Sequence, residues 1–487
     1  VREPRPIYRH SIQPIWGSVL TRIVTALDSL SVPLTSINPL AYADAGEAEP
    51  FCPFIISIGV KPNLFEYDDA VTAGAAVQSI LEDVGHPTIE VAFVESVVHR
   101  SSAGCKLLSF NPLLDKLPEL RMPFTDALGL AIAPAKYPHY EGTGALFYRL
   151  SSRDDRVALL TCAHVVRPQK AYKNTGMTWK PGSGQPREDV IALGTGAYGN
   201  AVTAIMGVIG EQFENIEIWN DALKRLGDPV EGELTTISET REEYRDLIRK
   251  AEVTAERANA LHDEVTKHRS VPHQRVIGHV LHSEVSVPPH GYTQDWALVE
   301  IYRDKIDWKS FKGNKIYIGG NVTPVHFKNT LYPQITDQAN YKYPEDGLLQ
   351  ALGVVPEAEF HNPQDLDVHD MKSLLCVKNG RSTRTTFGRV NGLQSIARHY
   401  NKYGIHQDSL EVAVLGYNVS GFKHSKFSDA GDSGSIVLGR DGRIIGILTG
   451  GAGPSDETDL SYITPYFWLE LQIKEKFPGC FLYDIID

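Results

Sequence analysis

Apolar positions along this chain recur in two rhythms, and the places where the rhythm changes divide it into parts. A short apolar run over residues 54–60 predicts a strand. Asp68 or Asp69 then offers a helix cap. Ala73, Val77, Ile80, Leu81 and Val84 come next at helical spacing, and Gly85 supplies a stop. Ile89, Val91 and Phe93 alternate with polar or small residues and predict a second strand. These elements predict a β-α-β unit within a small N-terminal α+β module over residues 1–120. Residues 1–50, rich in Pro, Ser and Ala, read as a partly ordered arm, and 101–123 as a link. No charged or nucleophilic cluster stands out here, so the module reads as structural or regulatory, an intramolecular regulator or folding aid.

Strand-like segments dominate the rest of the chain. Residues 129–133, 142–148, 157–163, 275–281 and 295–301 form one set. Residues 373–378, 385–390, 410–417, 435–438 and 443–449 form another, with a polar linker over 304–350 between them. One long stretch breaks the pattern. Val202, Ile205, Ile209, Ile216, Trp219, Leu223 and Leu226 fall on an alternating three-four spacing, with Gln212 interrupting it. Gly227-Asp-Pro229 ends that helix, and Ser238 or Thr240 can begin another whose seam is Tyr244, Leu247, Ala251, Ala258, Leu261 and Val265. This predicts an antiparallel, coiled-coil-like helical hairpin over 199–270. Off the seam, Phe213, Ile218, Ile248 and Val253 need cover. The hairpin is therefore expected to be an interaction arm toward a partner or a second copy. Residues 466–473 predict an apolar-faced C-terminal helix, with a tail over 476–487 after it.

With 487 residues there is room for two or three domains. The net charge of −12 argues against nucleic acid or an anionic membrane as the main partner. No apolar run reaches membrane-spanning length. The cysteines Cys52, Cys105, Cys162, Cys376 and Cys480 are odd in number, widely spaced and without a C-x-x-C, which points to a reducing, intracellular and cytoplasmic setting. No Cys/His/Asp cluster has metal-site spacing, so no metal and no cofactor is expected. The sequons at Asn321 and Asn418 would matter only in a secreted protein, and His424 reads as a solvated loop residue.

The chemistry gathers at Gly431-Asp-Ser-Gly434, a glycine-flanked turn leading into an apolar strand. The glycines free the backbone on both sides of Ser433, so its hydroxyl can stand exposed. The amides of Gly431 and Ser433 can then aim at one spot, as an oxyanion hole requires. Gly, Asp and Ser are also ordinary turn formers. A serine needs a base, and the apolar strand at 157–163 runs directly into His164. An imidazole needs a carboxylate to orient it, and Asp295 stands before the apolar strand at 295–301, with Asp304 and Asp307 as rivals. A histidine beside a strand is also an ordinary core residue. The order is His164, Asp295, Ser433.

Thr161-Cys-Ala-His164, Asp295-Trp-Ala-Leu298 and Gly431-Asp-Ser-Gly434 resemble the three signatures of trypsin-like (chymotrypsin-fold) serine peptidases, and residues 444–451 resemble the strand after the nucleophile. The resemblance covers residues 125–475. It implies a mainly β fold with some α: two six-stranded antiparallel β-barrels, with the helical hairpin inserted in the first. It implies catalysis by His164, Asp295 and Ser433, an oxyanion hole at Gly431 and Ser433, and a protein or peptide substrate. It also implies a pocket with Phe427 at its base and Thr449, Gly450 and Gly451 along its edge, hence an uncharged residue before the cleaved bond. The sequence departs from the family in two ways. The cysteine that commonly follows the catalytic histidine is Val165, and no activation start precedes residue 130, so a pairing of Asp432 with a chain terminus is not carried over. The competing reading is a catalytically silent scaffold that binds partners through the hairpin and the N-terminal module.

Overall fold

The computed structural model describes the chain except for residues 1, 45, 46, 48, 62, 63, 96–104, 173–175, 287–290, 321, 401–405, 419–425, 454–459 and 484–487. Asn321, Ser420 and His424 lie outside the described residues. The chain divides into two units, Val1–Ser102 with Lys180–Gln185, and Ala103–Trp179 with Pro186–Asp487.

In the first unit Val19, Ile23 and Leu27 recur at every fourth position and are fully buried on the helix Trp16–Ser29. Ala73, Val77 and Leu81 do the same on the helix Tyr67–Asp83. Both stripes share a core with Phe54, Ile56, Ile58 and Val60. The sheet order is Arg2–Arg5, Leu34–Asp44, Cys52–Val60, Glu90–Glu95; the first two pairings are antiparallel and the last is parallel. The β-α-β unit is as expected. The partly ordered arm is not: within residues 1–50 lie a helix and two strands, because the buried stripe at 19, 23 and 27 offsets the entropy cost of ordering the segment. Residues 105–120 belong to the second unit. Leu107 N donates to Lys305 O at 2.7 Å and Leu108 N to Phe124 O at 2.9 Å, so the division falls at 102 and not at 120.

The second unit holds one closed barrel and one open sheet. The barrel runs Leu374–Gly380, Arg384–Tyr400, His406–Gly416, Leu460–Pro465, Ile444–Ala452, Ile436–Gly439 and back to its start. Its sixth strand, Leu460–Pro465, was not among the expected ones, because two of its buried positions are Ser461 and Thr464. The first set of strands forms a nine-stranded antiparallel sheet that does not close into the expected six-stranded barrel. Both ends have other work. Gly142–Thr143 turns toward the barrel, where Thr143 N donates to Ser433 O at 2.8 Å. The free edge of Phe147–Ser151 is taken by Phe481–Leu482 from the tail. The helix Tyr466–Lys476 ties sheet and barrel together, with buried Tyr148 and Tyr466 joined through their hydroxyls.

The hairpin consists of Thr195–Leu226 and Thr235–Lys267. At 1.5 Å per residue each helix runs roughly 48–50 Å. The hairpin leaves the strand Asp189–Ala192 and returns into Val276–Ser286, two strands that pair with each other. Its near end packs Ala201, Ile205, Ala258, Leu261 and Val265 against Leu108, Phe124 and Leu193. Farther out, Phe213, Ile218 and Val253 are exposed. No described helix is long and apolar enough to cross a membrane.

Candidate active site

The strand Asp154–Thr161 pairs with Gln294–Ile301, Thr161 standing opposite Ala297. The chain then makes one helical turn, Ala163–Val166, beside the start of that neighbour strand. The turn brings His164 onto Asp295. His164 N donates to Asp295 Oδ1 at 3.0 Å, and His164 Nδ1 is hydrogen-bonded to Asp295 Oδ2. The rivals are elsewhere: Asp304 pairs with Lys305, and Asp307 accepts from Ser310. Burial alone would lower the pKa of His164, but the charge and hydrogen bond of Asp295 outweigh it, and the net direction is upward. Burial alone would raise Asp295; His164 and two backbone amides reverse that, and its pKa is lowered.

The nucleophile turn is held from both sides. Gly431 and Gly434 have φ of 96° and 91°, the left-handed region where a side chain is strained. A Cβ on Gly434 would lie 2.0 Å from Thr143 O. Gly434→Ala is therefore expected to cost at least about 2 kcal/mol of stability, read by denaturant unfolding. Asp432 N, Gly434 N and Ser435 N donate to Asp429 O, Leu448 O and Asp432 O. The amides of Gly431 and Ser433 have no acceptor among the described residues. An oxyanion hole needs two such unoccupied donors. Ser433 is partly exposed, and its Oγ donates to Thr449 O at 3.4 Å; no hydrogen bond joins it to His164 among the described residues.

Beneath Ser433 lies a charge pair. Lys378 Nζ and Asp432 Oδ2 are 3.1 Å apart, and both side chains are fully buried. Asp432 also accepts from Ser382 N, Thr383 N, Thr383 Oγ1 and Asp429 N. Desolvation opposes its charge, but Lys378 and these donors hold its pKa below the ordinary carboxylate value. The carboxylate thus locks the nucleophile turn to the 378–384 hairpin.

A cleft of about 1120 Å³ opens over His164 and Asp295 and is edged by Thr449, Gly450 and Gly451. Phe427 is not at its base. The ring is buried in the barrel core with Val390 and Val414, and it does not line this cleft. Two residues went unrecognised in the sequence, Lys378 and Glu411. Glu411 lines the cleft, accepts from Thr293 Oγ1 and Ser409 Oγ, and burial pushes its pKa up to about 7. Each is an ionisable residue directly beside an apolar run, 374–377 for Lys378 and 412–415 for Glu411, and that is the signal that could have marked them. Cys162, His164 and Asp295 each bring a possible ligand atom within 4.8 Å of the others. Burial raises the Cys162 thiol well above its usual value, so it stays protonated and donates to Leu448 O at 3.2 Å.

No protein-family model and no curated protein matches this chain. Among solved structures it is similar to the Nocardiopsis protease NAPase, at 9% identity and a TM-score of 0.31 over 74% of this chain and 98% of that one. It is similar to a glutamic acid-specific serine protease that uses a histidine triad in substrate binding, at 10% identity and a TM-score of 0.30 over 73% and 100%. It is also similar to the active form of the Rv3671c protease from M. tuberculosis, at 11% identity and a TM-score of 0.27 over 81% and 97%. At such values the residues of the site have to carry any reading by themselves.

Proposed function

We propose that this chain is a serine endopeptidase acting through His164, Asp295 and Ser433. The observation that carries the reading is the pairing of a hydrogen-bonded His164–Asp295 couple with a Gly-Asp-Ser-Gly turn whose Gly431 and Ser433 amides have no acceptor among the described residues. Ser433 attacks the scissile carbonyl. His164 takes its proton and later passes it to the leaving amine, giving an acyl-enzyme that water releases. Asp295 holds the imidazole in the tautomer that presents Nε2, and steadies its charged form. The amides of Gly431 and Ser433 receive the oxyanion, each such donor being worth about 3 kcal/mol. The expectation of an uncharged residue before the cleaved bond now rests on Gly450 and Gly451 alone, since a Cβ on Gly450 would meet nothing within 4 Å. All five cysteines are free, which fits a reducing compartment.

One observation favours the silent-scaffold alternative: the Ser433 hydroxyl is turned to Thr449 O and not to His164. Hydrogen bonds of catalytic groups often tighten only around substrate. A fluorophosphonate probe separates the two readings. It should modify Ser433 once per chain, and Ser433→Ala should abolish both labelling and peptide cleavage while circular dichroism stays unchanged. A folded wild-type protein that resists the probe, or a variant that cleaves as before, removes the peptidase reading.

A further inference from the structure

We propose that a second pocket, behind the nucleophile turn, binds the phosphate or carboxylate group of a small molecule between the guanidinium groups of Arg381 and Arg384. The pocket encloses about 290 Å³. Arg381, Ser382 and Arg384 line it from the barrel, and Ala197 and Asn200 from the first turns of the long hairpin helix. It is separate from the cleft over His164.

The argument begins with charge. Arg381 is joined to Glu141, and Lys378 to Asp432. Arg384 makes no ion pair or side-chain hydrogen bond among the described residues. The charged groups that face it are Asp432, already held by Lys378 and four other donors, and Arg381, of the same sign. Three cations therefore share two carboxylates, and one positive charge is left over at a half-buried site. Burial pulls Arg384 below its ordinary pKa, yet a guanidinium does not give up its proton in a protein. An anion is what balances such a group, and a planar fork suits the paired oxygens of phosphate or carboxylate.

The walls agree with the charge. Arg381 Nε is buried and has no partner, while Arg381 Nη1 donates to Ser382 Oγ at 3.1 Å. Asn200 is exposed and offers an amide. Leu193 and Arg384, two of the five described non-glycine residues with positive φ, both border the pocket. Strain of this kind persists where surroundings enforce it, and it gathers at binding sites. The volume leaves room beyond one oxyanion for the rest of a small molecule.

Isothermal titration calorimetry on the full chain tests this, with inorganic phosphate in one arm and acetate in the other at ionic strength held constant with sodium chloride. One saturable site per chain is expected in at least one arm, and the arms tell which group is preferred. Arg384→Gln should weaken binding at least tenfold. Asn200→Asp sets a carboxylate at the pocket from an exposed helix position, so it spares the fold and should weaken binding by a similar factor. Heats in the wild type that match the sodium chloride control in both arms overturn the proposal, as does an affinity unchanged in either variant. The readout needs no catalysis, so it stands or falls apart from the peptidase reading.

Discussion

Asp295→Asn should lower kcat on a peptide substrate by about 10⁴-fold with little change in KM, because the amide stabilises the wrong imidazole tautomer. The acid limb of the rate profile should move as well. In the wild type Asp295 raises the pKa of His164, so the neutral base accumulates only above the ordinary imidazole value of about 6.5. Without that charge burial acts alone, and the limb moves to lower pH. Stability runs the other way. The raised pKa of His164 gives a contribution that is fully present below about 6.5 and is lost as pH rises through the folded value. The lowered pKa of Asp295 gives one present above about 3.9 and lost as pH falls through its folded value. The pair therefore stabilises the protein most on the acid side of the range in which it works. Stopped assays from pH 4 to 9, with urea unfolding at the same values, check both halves. A variant that retains full kcat would contradict the assignment of Asp295.

Lys378→Met should destabilise the protein by about 3–5 kcal/mol, the usual cost of leaving one member of a buried ion pair without the other. Activity should fall with it, since Asp432 adjoins Ser433 and fastens the turn to Ser382 and Thr383. The pH dependence has a definite sign. With Lys378 present Asp432 is held low, and its contribution is lost only as pH falls through that lowered value. With methionine the carboxylate takes up its proton at higher pH, so acid unfolding begins earlier. The double variant Lys378→Met with Asp432→Asn removes both charges of the buried pair and should recover much of the stability. Equal stability of the wild type and the single variant in urea would refute the account. The counter-charge of Asp432 thus comes from within a strand, and a chain end freed by cleavage would find that carboxylate already occupied.

His164, Asp295 and Ser433 stand out in the sequence as candidates because each adjoins an apolar run, where a polar residue is conspicuous. Lys378 could not. In an alternating strand a lysine is taken to face water, yet Leu374–Gly380 is buried at every position. Phe427 failed for a different reason: a count back from the nucleophile gives a position along the chain but not the side toward which a ring turns. The open first sheet was hidden because periodicity marks residues that pair and is silent on which edge they pair with. Gly142–Thr143 pairs on one side with Ala131–Pro134, and Thr143 N turns to Ser433 O and not to another strand. Helices were the clearest element, since the seams of the hairpin and the stripe at 73, 77 and 81 repeat over several turns.

The hairpin also bears on how this protein reaches its fold. Val190 and Gly278 are partners in the sheet although the whole hairpin lies between them in sequence. A flexible chain of that length makes such a pairing slow, because closing the loop costs entropy before any contact repays it. Helices form from local contacts within microseconds, far sooner than a distant strand pair. Once the two helices lie side by side, with Tyr198 Oη donating to Val265 O at 3.1 Å near their base, the chain ends they carry are already neighbours. A long search becomes a short one, and the strand pair next to the one bearing Asp295 is assembled by a clamp made of local contacts.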